Sequence, residues 1–172
     1  RRGEARPWSV RTRANGMTVA WIACSYSTNG MPDPHGQVLN CYDGQETILD
    51  EIRRLWDEPG VDAVIVTPHW GVEGSHRPLE SDRKWARTAI EAGATAIVGT
   101  HPHVLQPWER HVAGDGREAL IVYSTGNFVS NQPGAAQRTG LIALMSLARG
   151  PTGKAEVAAA GYILTSVDRG AG

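Results

Sequence analysis

Two histidines one residue apart, His101 and His103, flank Pro102 in the segment VGTHPHVLQ, directly after an apolar run, and a third, His69, follows another apolar run earlier in the chain. Neutral imidazole is the commonest protein ligand for first-row metals. On extended backbone, side chains two apart point the same way, and a proline holds the residue before it extended. His-x-His therefore reads as a pair of nitrogen donors, and His69 adds a third, enough for one zinc-like ion with an open coordination position. Of the six histidines, only His35 lies outside the span from 69 to 111. Glu73, four residues after His69, is open to three roles: a ligand, an acceptor that fixes a histidine tautomer, or a solvated carboxylate. Asn127, in STGNF, either turns its amide toward a ligand or caps a turn. His76 and His111 sit in polar loop contexts and read as structural. Trp70 reads as packing the wall of the site, and Gly99 and Gly126 as places of close backbone approach.

The elements that must position these residues follow from the apolar pattern. Residues 1–15 are polar and basic and read as a lead-in, ending at the turn pair Asn15-Gly16. MTVAWIAC (17–24) is β-rich, and 25–43, with its Gly, Pro, Asn and Asp, reads as a long loop, a length usually associated with function. Asp43 is placed to cap a helix with Glu46 as its capping-box partner. In that helix Ile48, Leu49, Ile52, Leu55 and Trp56 form one apolar stripe, which Pro59-Gly60 ends. VDAVIVT (61–67) is a continuous apolar run suited to a strand buried on both faces. A second helix fits 80–92, with Trp85, Ala86, Ala89 and Ile90 inward. ATAIVG (94–99) and ALIVY (119–123) are further strands, and 139–147 and 155–165 are two more, joined by the turn ARGPTG. Strand, helix, strand, helix, strand with short links predicts an α/β fold with a mainly parallel sheet, its last two strands antiparallel at one edge. Ligands bind outside the carboxyl ends of such strands. His69, the pair His101 and His103, and Asn127 follow three consecutive strand ends.

Composition narrows the classes. A net charge of −1 on 172 residues leaves no electrostatic footprint for nucleic acid. No run of about 18 apolar residues is long enough to span a bilayer, and RRGEARPWSVRTR lacks the apolar stretch of a signal peptide. Cys24 and Cys41, without metal-type spacing, read first as small core residues, with a disulfide as the alternative.

The segments HWGVE, AGATAIVGTHPHVLQ and YSTGNF, in this order, resemble the CapA-like poly-γ-glutamate capsule synthesis family, which is similar in fold to the calcineurin-like metallophosphoesterases. The likeness runs from about residue 16 to 165, and 16–168 reads as the C-terminal portion of such a domain. The resemblance implies that His69 and His101 hold one divalent metal (Mn, Zn or Fe) and His103 another. It also implies that Asn127 orients substrate and that Glu73 acts as acid, base or supporting carboxylate. The implied activity is hydrolysis or transfer in the synthesis, transfer or release of an anionic polymer, in the bacterial cell envelope. A non-catalytic binding or assembly subunit and a general phosphoesterase are the alternatives. The sequence departs from the family where Gly74 replaces an aromatic residue and Thr95 an aspartate. The phosphoesterase pattern also has an earlier half with a bridging aspartate and an asparagine-histidine pair. Before His69 this chain offers only Asp33, Asp43, Asp50, Asp57, Asp62 and His35, none at a strand end. The expected partners are therefore an N-terminal half, a partner subunit or a second copy, and the sheet is expected to show an exposed apolar edge or face.

Overall fold

The computed structural model describes residues 7–168. Its centre is a six-stranded sheet of β1 (Ser9–Ala14), β2 (Met17–Ser25), β3 (Ala63–His69), β4 (Ala96–Val98), β5 (Trp108–Val112) and β6 (Glu118–Val122), in the order β1-β2-β3-β4-β6-β5. The four inner strands are parallel, and β1 and β5 close the two edges antiparallel. This is the α/β class read from the strand–helix alternation.

Helices α1 (Gln45–Asp57) and α2 (Glu80–Glu91) pack on one face of the sheet. Ile48, Leu49, Ile52 and Leu55 of α1, with Trp85, Ala86, Ala89 and Ile90 of α2, share a core with Ala20, Ile22, Val64, Val66, Ile97 and Ile121. Fully burying one such aliphatic side chain stabilises by about 1.5–3 kcal/mol. The opposite face carries Ile65, Ala96, Leu120 and Val122, against which Val157 packs from β8 (Ala155–Ser166). This strand and β7 (Thr139–Arg149) pair antiparallel, as expected, but they form a separate two-stranded sheet rather than an edge of the main one. The hairpin leaves Ile142, Leu144, Tyr162, Ile163 and Leu164 exposed, the uncovered apolar surface anticipated from the sequence.

Several local expectations are corrected. Residues 9–14 are a strand rather than a lead-in, because Asn15 and Gly16 both take positive φ (51° and 75°) and fold β1 back onto β2 in a tight hairpin; residues 1–6 lie outside the described part. Residues 108–112 form β5, so His111 is in a strand, opposite Ala119, and its Nε2 meets Glu91 at 2.9 Å. Asp43 does not cap α1. Asn40 accepts from the backbone N–H groups of Tyr42 and Asp43, which turns the chain one residue later, and Gly44 occupies the cap position with no side-chain bond. Cys24 and Cys41 are joined in a disulfide, which ties the start of the long loop to its end. No helix among the described residues is long and apolar enough to cross a membrane.

Candidate functional site

The carboxyl ends of the parallel strands carry the chemistry. His69 ends β3 and bridges to Thr100 beyond β4, so the parallel ladder continues into the histidine turn. Thr100 N–H donates to the Pro68 carbonyl, and Trp70 N–H to the Thr100 carbonyl. His69 Nδ1 lies 3.2 Å from Thr100 Oγ1, which leaves Nε2 facing His101 Nδ1 at 3.1 Å. The ring centroids of His69 and His101 are 4.7 Å apart, and those of His101 and His103 are 5.9 Å apart. The three imidazoles do converge at one edge of the sheet.

They do so by a different route from the extended turn expected. His101 has φ 98° and His103 φ 59°, so both are in the left-handed region that side-chain-bearing residues seldom occupy. Such a conformation costs on the order of 1–3 kcal/mol and persists only where surroundings impose it, typically at functional sites. The imposing contacts are visible. Gly74 N–H donates to the Pro102 carbonyl, and Ser124 Oγ donates to the Val104 carbonyl, so the turn is clamped from both sides.

Behind the histidines the wall is buried. Trp70 is buried, as anticipated, and its indole N–H donates to the Tyr123 carbonyl. Gly99 permits this approach, since a Cβ there would stand 2.5 Å from Trp70 Nε1 and still closer to the Tyr123 carbonyl. Burial holds the His69 imidazole below the usual histidine pKa, and the neighbouring His101 and His103 lower it further. Burial also lowers His101, helped by His103 and opposed by the Glu73 carboxylate. Both rings are therefore neutral at neutral pH, the form that ligates.

Glu73 and Asn127 both reach His103. Its Nδ1 is 2.7 Å from Asn127 Oδ1, and its Nε2 is 3.7 Å from Glu73 Oε1. His76 is not part of the cluster; its Nδ1 bonds the Leu105 carbonyl at 2.8 Å, the structural role read from its context. Gly126 has φ 67° and its backbone lies against Thr139 and Gly140.

Three contributors escaped the sequence reading. Tyr26 lies one residue past β2, whose Ser25 is in register with His69, and its ring sits 4.3 Å from that of His101. A fourth parallel strand ending beside the others was the available signal. Gln132 donates to Glu73 at 2.9 Å from a distant loop, for which the sequence carries no signal. Asp82, buried in the first turn of α2, accepts from the Tyr42 hydroxyl, which in turn accepts from Gly71 N–H behind the histidine turn.

Two imidazole nitrogens on one tetrahedral metal ion, with bonds of roughly 2.0–2.1 Å, lie about 3.3 Å apart. The 3.1 Å between His69 Nε2 and His101 Nδ1 is close to that spacing. Among the described residues, no three His, Cys, Asp or Glu side chains are grouped closely enough to enclose an ion. The donors thus fit one ion held by a preset pair with room for further ligands.

The fold is shared with solved structures of low sequence identity. Solved structures with the same architecture include a sulfate thiohydrolase, SoxB, of Thermus thermophilus (TM-score 0.56, 16% identity, 93% of this chain and 25% of that one). The NAD nucleotidase NadN of Haemophilus influenzae is another (TM-score 0.56, 13% identity, 92% and 30%). A hypothetical protein from Thermus thermophilus aligns with 98% of this chain and 65% of its own (TM-score 0.52, 17% identity). By sequence, the chain belongs to the bacterial capsule synthesis protein family PGA_cap, whose pattern matches residues 1–132. It is 32% identical over 125 residues to the capsule biosynthesis protein CapA of Bacillus anthracis, covering 72% of this chain and 28% of that protein. It is 40% identical over 96 residues to the PGA biosynthesis protein CapA of Bacillus subtilis, covering 56% and 24%. The chain spans about a quarter of the length of these relatives.

Proposed function

We propose that this chain carries the histidine side of a metal-dependent site in a capsule synthesis protein of the CapA kind, acting on an anionic polymer such as poly-γ-glutamate. The observation that supports this reading most directly is the pair of neutral imidazoles, His69 Nε2 and His101 Nδ1, at ligand spacing on a clamped, left-handed turn. His69 Nε2 and His101 Nδ1 would hold a divalent ion such as zinc, manganese or iron, with the Nε2 of His103 at the open side of that pair. A bound ion of this type supplies Lewis acidity and lowers the pKa of a coordinated water. The chain's own residues do the rest. Trp70 and Tyr123 exclude water from behind the imidazoles, and Tyr26 covers the outer face of His101. Glu73, at the open side, is placed to take or give a proton beside His103, and Asn127 holds that ring in position. Further carboxylate ligands come from outside the described residues, from another part of the protein or a partner.

Calorimetric titration with zinc tests the reading. The protein is expected to bind, and His101→Ala to lose at least about tenfold in affinity, as removal of one nitrogen from so small a donor set requires. His111→Ala, in β5 and bonded to Glu91, is expected to bind as the parent does. Equal binding by the two variants refutes the metal site. A second reading, a non-catalytic binding or assembly subunit, is favoured by the lack of a closed three-residue ligand set among the described residues. It predicts no zinc binding together with retained affinity for poly-γ-glutamate. Turnover of a generic phosphodiester but not of the polymer would instead select a general phosphoesterase.

A further inference from the structure

His103, Asn127, Gln132 and Glu73 are joined by three hydrogen bonds of a single polarity. His103 Nδ1 faces Asn127 Oδ1 at 2.7 Å, Asn127 Nδ2 donates to Gln132 Oε1 at 2.8 Å, and Gln132 Nε2 donates to Glu73 Oε1 at 2.9 Å. The same Glu73 oxygen returns to His103, 3.7 Å from its Nε2. Both amide orientations are fixed by groups that can only accept. Asn127 Nδ2 also points at the Gln137 carbonyl, 2.8 Å away, so Oδ1 must be the atom facing His103. Gln132 Nε2 points at a carboxylate, so its Oε1 must be the atom facing Asn127. It follows that His103 carries its proton on Nδ1 and presents a bare lone pair at Nε2. That lone pair looks at a carboxylate oxygen 3.7 Å away, two acceptors with no donor among the described residues between them.

We propose that Gln132 is a positioning residue for this site: it holds the Glu73 carboxylate facing the bare Nε2 of His103, whose tautomer Asn127 fixes together with the Gln137 carbonyl. Glu73 is more than half exposed and its side chain has Gln132 as its hydrogen-bond partner, so without that amide the carboxylate has no anchor. Gln132 belongs to the segment between Gly126 and β7. This run of bonds therefore links that segment, with its exposed Phe128 and Val129, to the imidazole cluster. The inference deepens the metal-site reading, because a metal-binding imidazole needs the second nitrogen held by an acceptor. The tautomer itself is a property of the metal-free chain.

The test is long-range proton–nitrogen NMR of ¹⁵N-histidine-labelled, metal-free protein at about pH 8, above the ordinary imidazole pKa of about 6.5. His103 is expected to show a protonated Nδ1 and an unprotonated Nε2, the reverse of the form that free imidazole side chains favour. In Gln132→Ala the Nδ1–H of His103 is expected to persist, held by Asn127 and the Gln137 carbonyl, while the Nε2 resonance shifts as Glu73 loses its anchor, with the unfolding midpoint unchanged. A merely structural glutamine would move the midpoint and leave the His103 Nε2 resonance alone. A wild-type His103 protonated at Nε2, or a Gln132→Ala spectrum identical to wild type, overturns the proposal. Zinc titration of the same samples separates the two readings. Loss of an outer hydrogen-bond partner typically lowers metal affinity about 10–100-fold, and Gln132→Ala, one bond further out, is expected near the lower figure. If zinc leaves the His103 nitrogens unmoved while the tautomer is as stated, the metal reading fails and the positioning role stands.

Discussion

Removing the Cys24–Cys41 bridge is expected to weaken the fold without moving the site. The bridge closes a loop of sequence separation 17, and in the chain-entropy picture opening such a loop costs about 3 kcal/mol of stability by setting the denatured chain free. Native backbone bonds hold the same loop independently: Ser25 N–H to the Leu39 carbonyl, Cys41 N–H to the Ser25 carbonyl, and Tyr26 N–H to the His69 carbonyl. The loop is therefore expected to keep its place in the folded state, and the loss to fall on the unfolded side. For a protein of this size, with a urea slope of about 2 kcal/mol per molar, the midpoint of unfolding falls by roughly 1.5 M. The perturbation is the double variant Cys24→Ala with Cys41→Ala, compared with the parent under oxidising conditions. The histidine spectrum reports the folded side, because the Tyr26 ring, 4.3 Å from that of His101, shifts its resonances. A midpoint that does not move refutes the entropic account. A midpoint that moves while the His101 resonances lose the Tyr26 shift refutes the claim that the backbone bonds suffice.

Gly99→Ala is expected to disrupt the site from behind, since the new methyl overlaps the Trp70 indole and the Tyr123 carbonyl; overpacking of this sort costs about 1–3 kcal/mol or more, read as a fall in thermal midpoint with loss of zinc binding. Arg117 is buried, stacks 4.2 Å from the Trp56 ring, and donates to the carbonyls of Ile90 and Ala94 at the end of α2. Arg117→Met removes a donor from both carbonyls and leaves that of Ile90 with the Gly93 N–H, a loss of about 2 kcal/mol, seen as roughly 4–8 °C in the thermal midpoint. Burial raises the Asp82 carboxyl above its ordinary value, against the bonds from Tyr42 and Leu79. A raised folded value means that folding takes up a proton, so the cost of the charge is present above it and relieved as pH falls toward the unfolded value of about 3.9. Urea unfolding of wild type and Asp82→Asn is expected to show the wild type gaining relative to the variant between neutral pH and about pH 4; parallel profiles would remove this assignment.

What the sequence made legible is what burial writes into it. The runs 61–67, 94–99 and 119–123 are apolar on both faces, which marked three inner strands and so located His69, the pair His101 and His103, and Asn127 at one edge. The strands that were missed, SVRTRA and WERHV, are edge strands, half polar because one side meets solvent, and their pattern resembles a loop. The cap predicted at Asp43 did not form because Asn40, three residues earlier, binds the Tyr42 and Asp43 N–H groups and sets the turn that leaves Gly44 at the cap position. Pairing of Cys24 with Cys41 depends on the path of the intervening loop, and Tyr26 and Gln132 reach the site only through tertiary packing. The histidine pair was found for an incomplete reason. Alternation along an extended chain suggested it, whereas a doubly left-handed turn produces it.

That turn sets the optimum for stability against the optimum for chemistry. Glycine and asparagine accept positive φ at little cost, so His101→Gly relieves conformational strain while deleting the imidazole. Variants of position 101 selected for heat resistance alone would drift toward glycine or asparagine and away from metal affinity. The glycine variant would also leave an imidazole-shaped space beside His69 and Tyr26, bounded by rings at 4.7 and 4.3 Å from the missing one. Free imidazole supplied from solution fits that space and can restore the lost donor. The position is thus one where the protein is easy to strengthen, easy to inactivate, and open to chemical complementation.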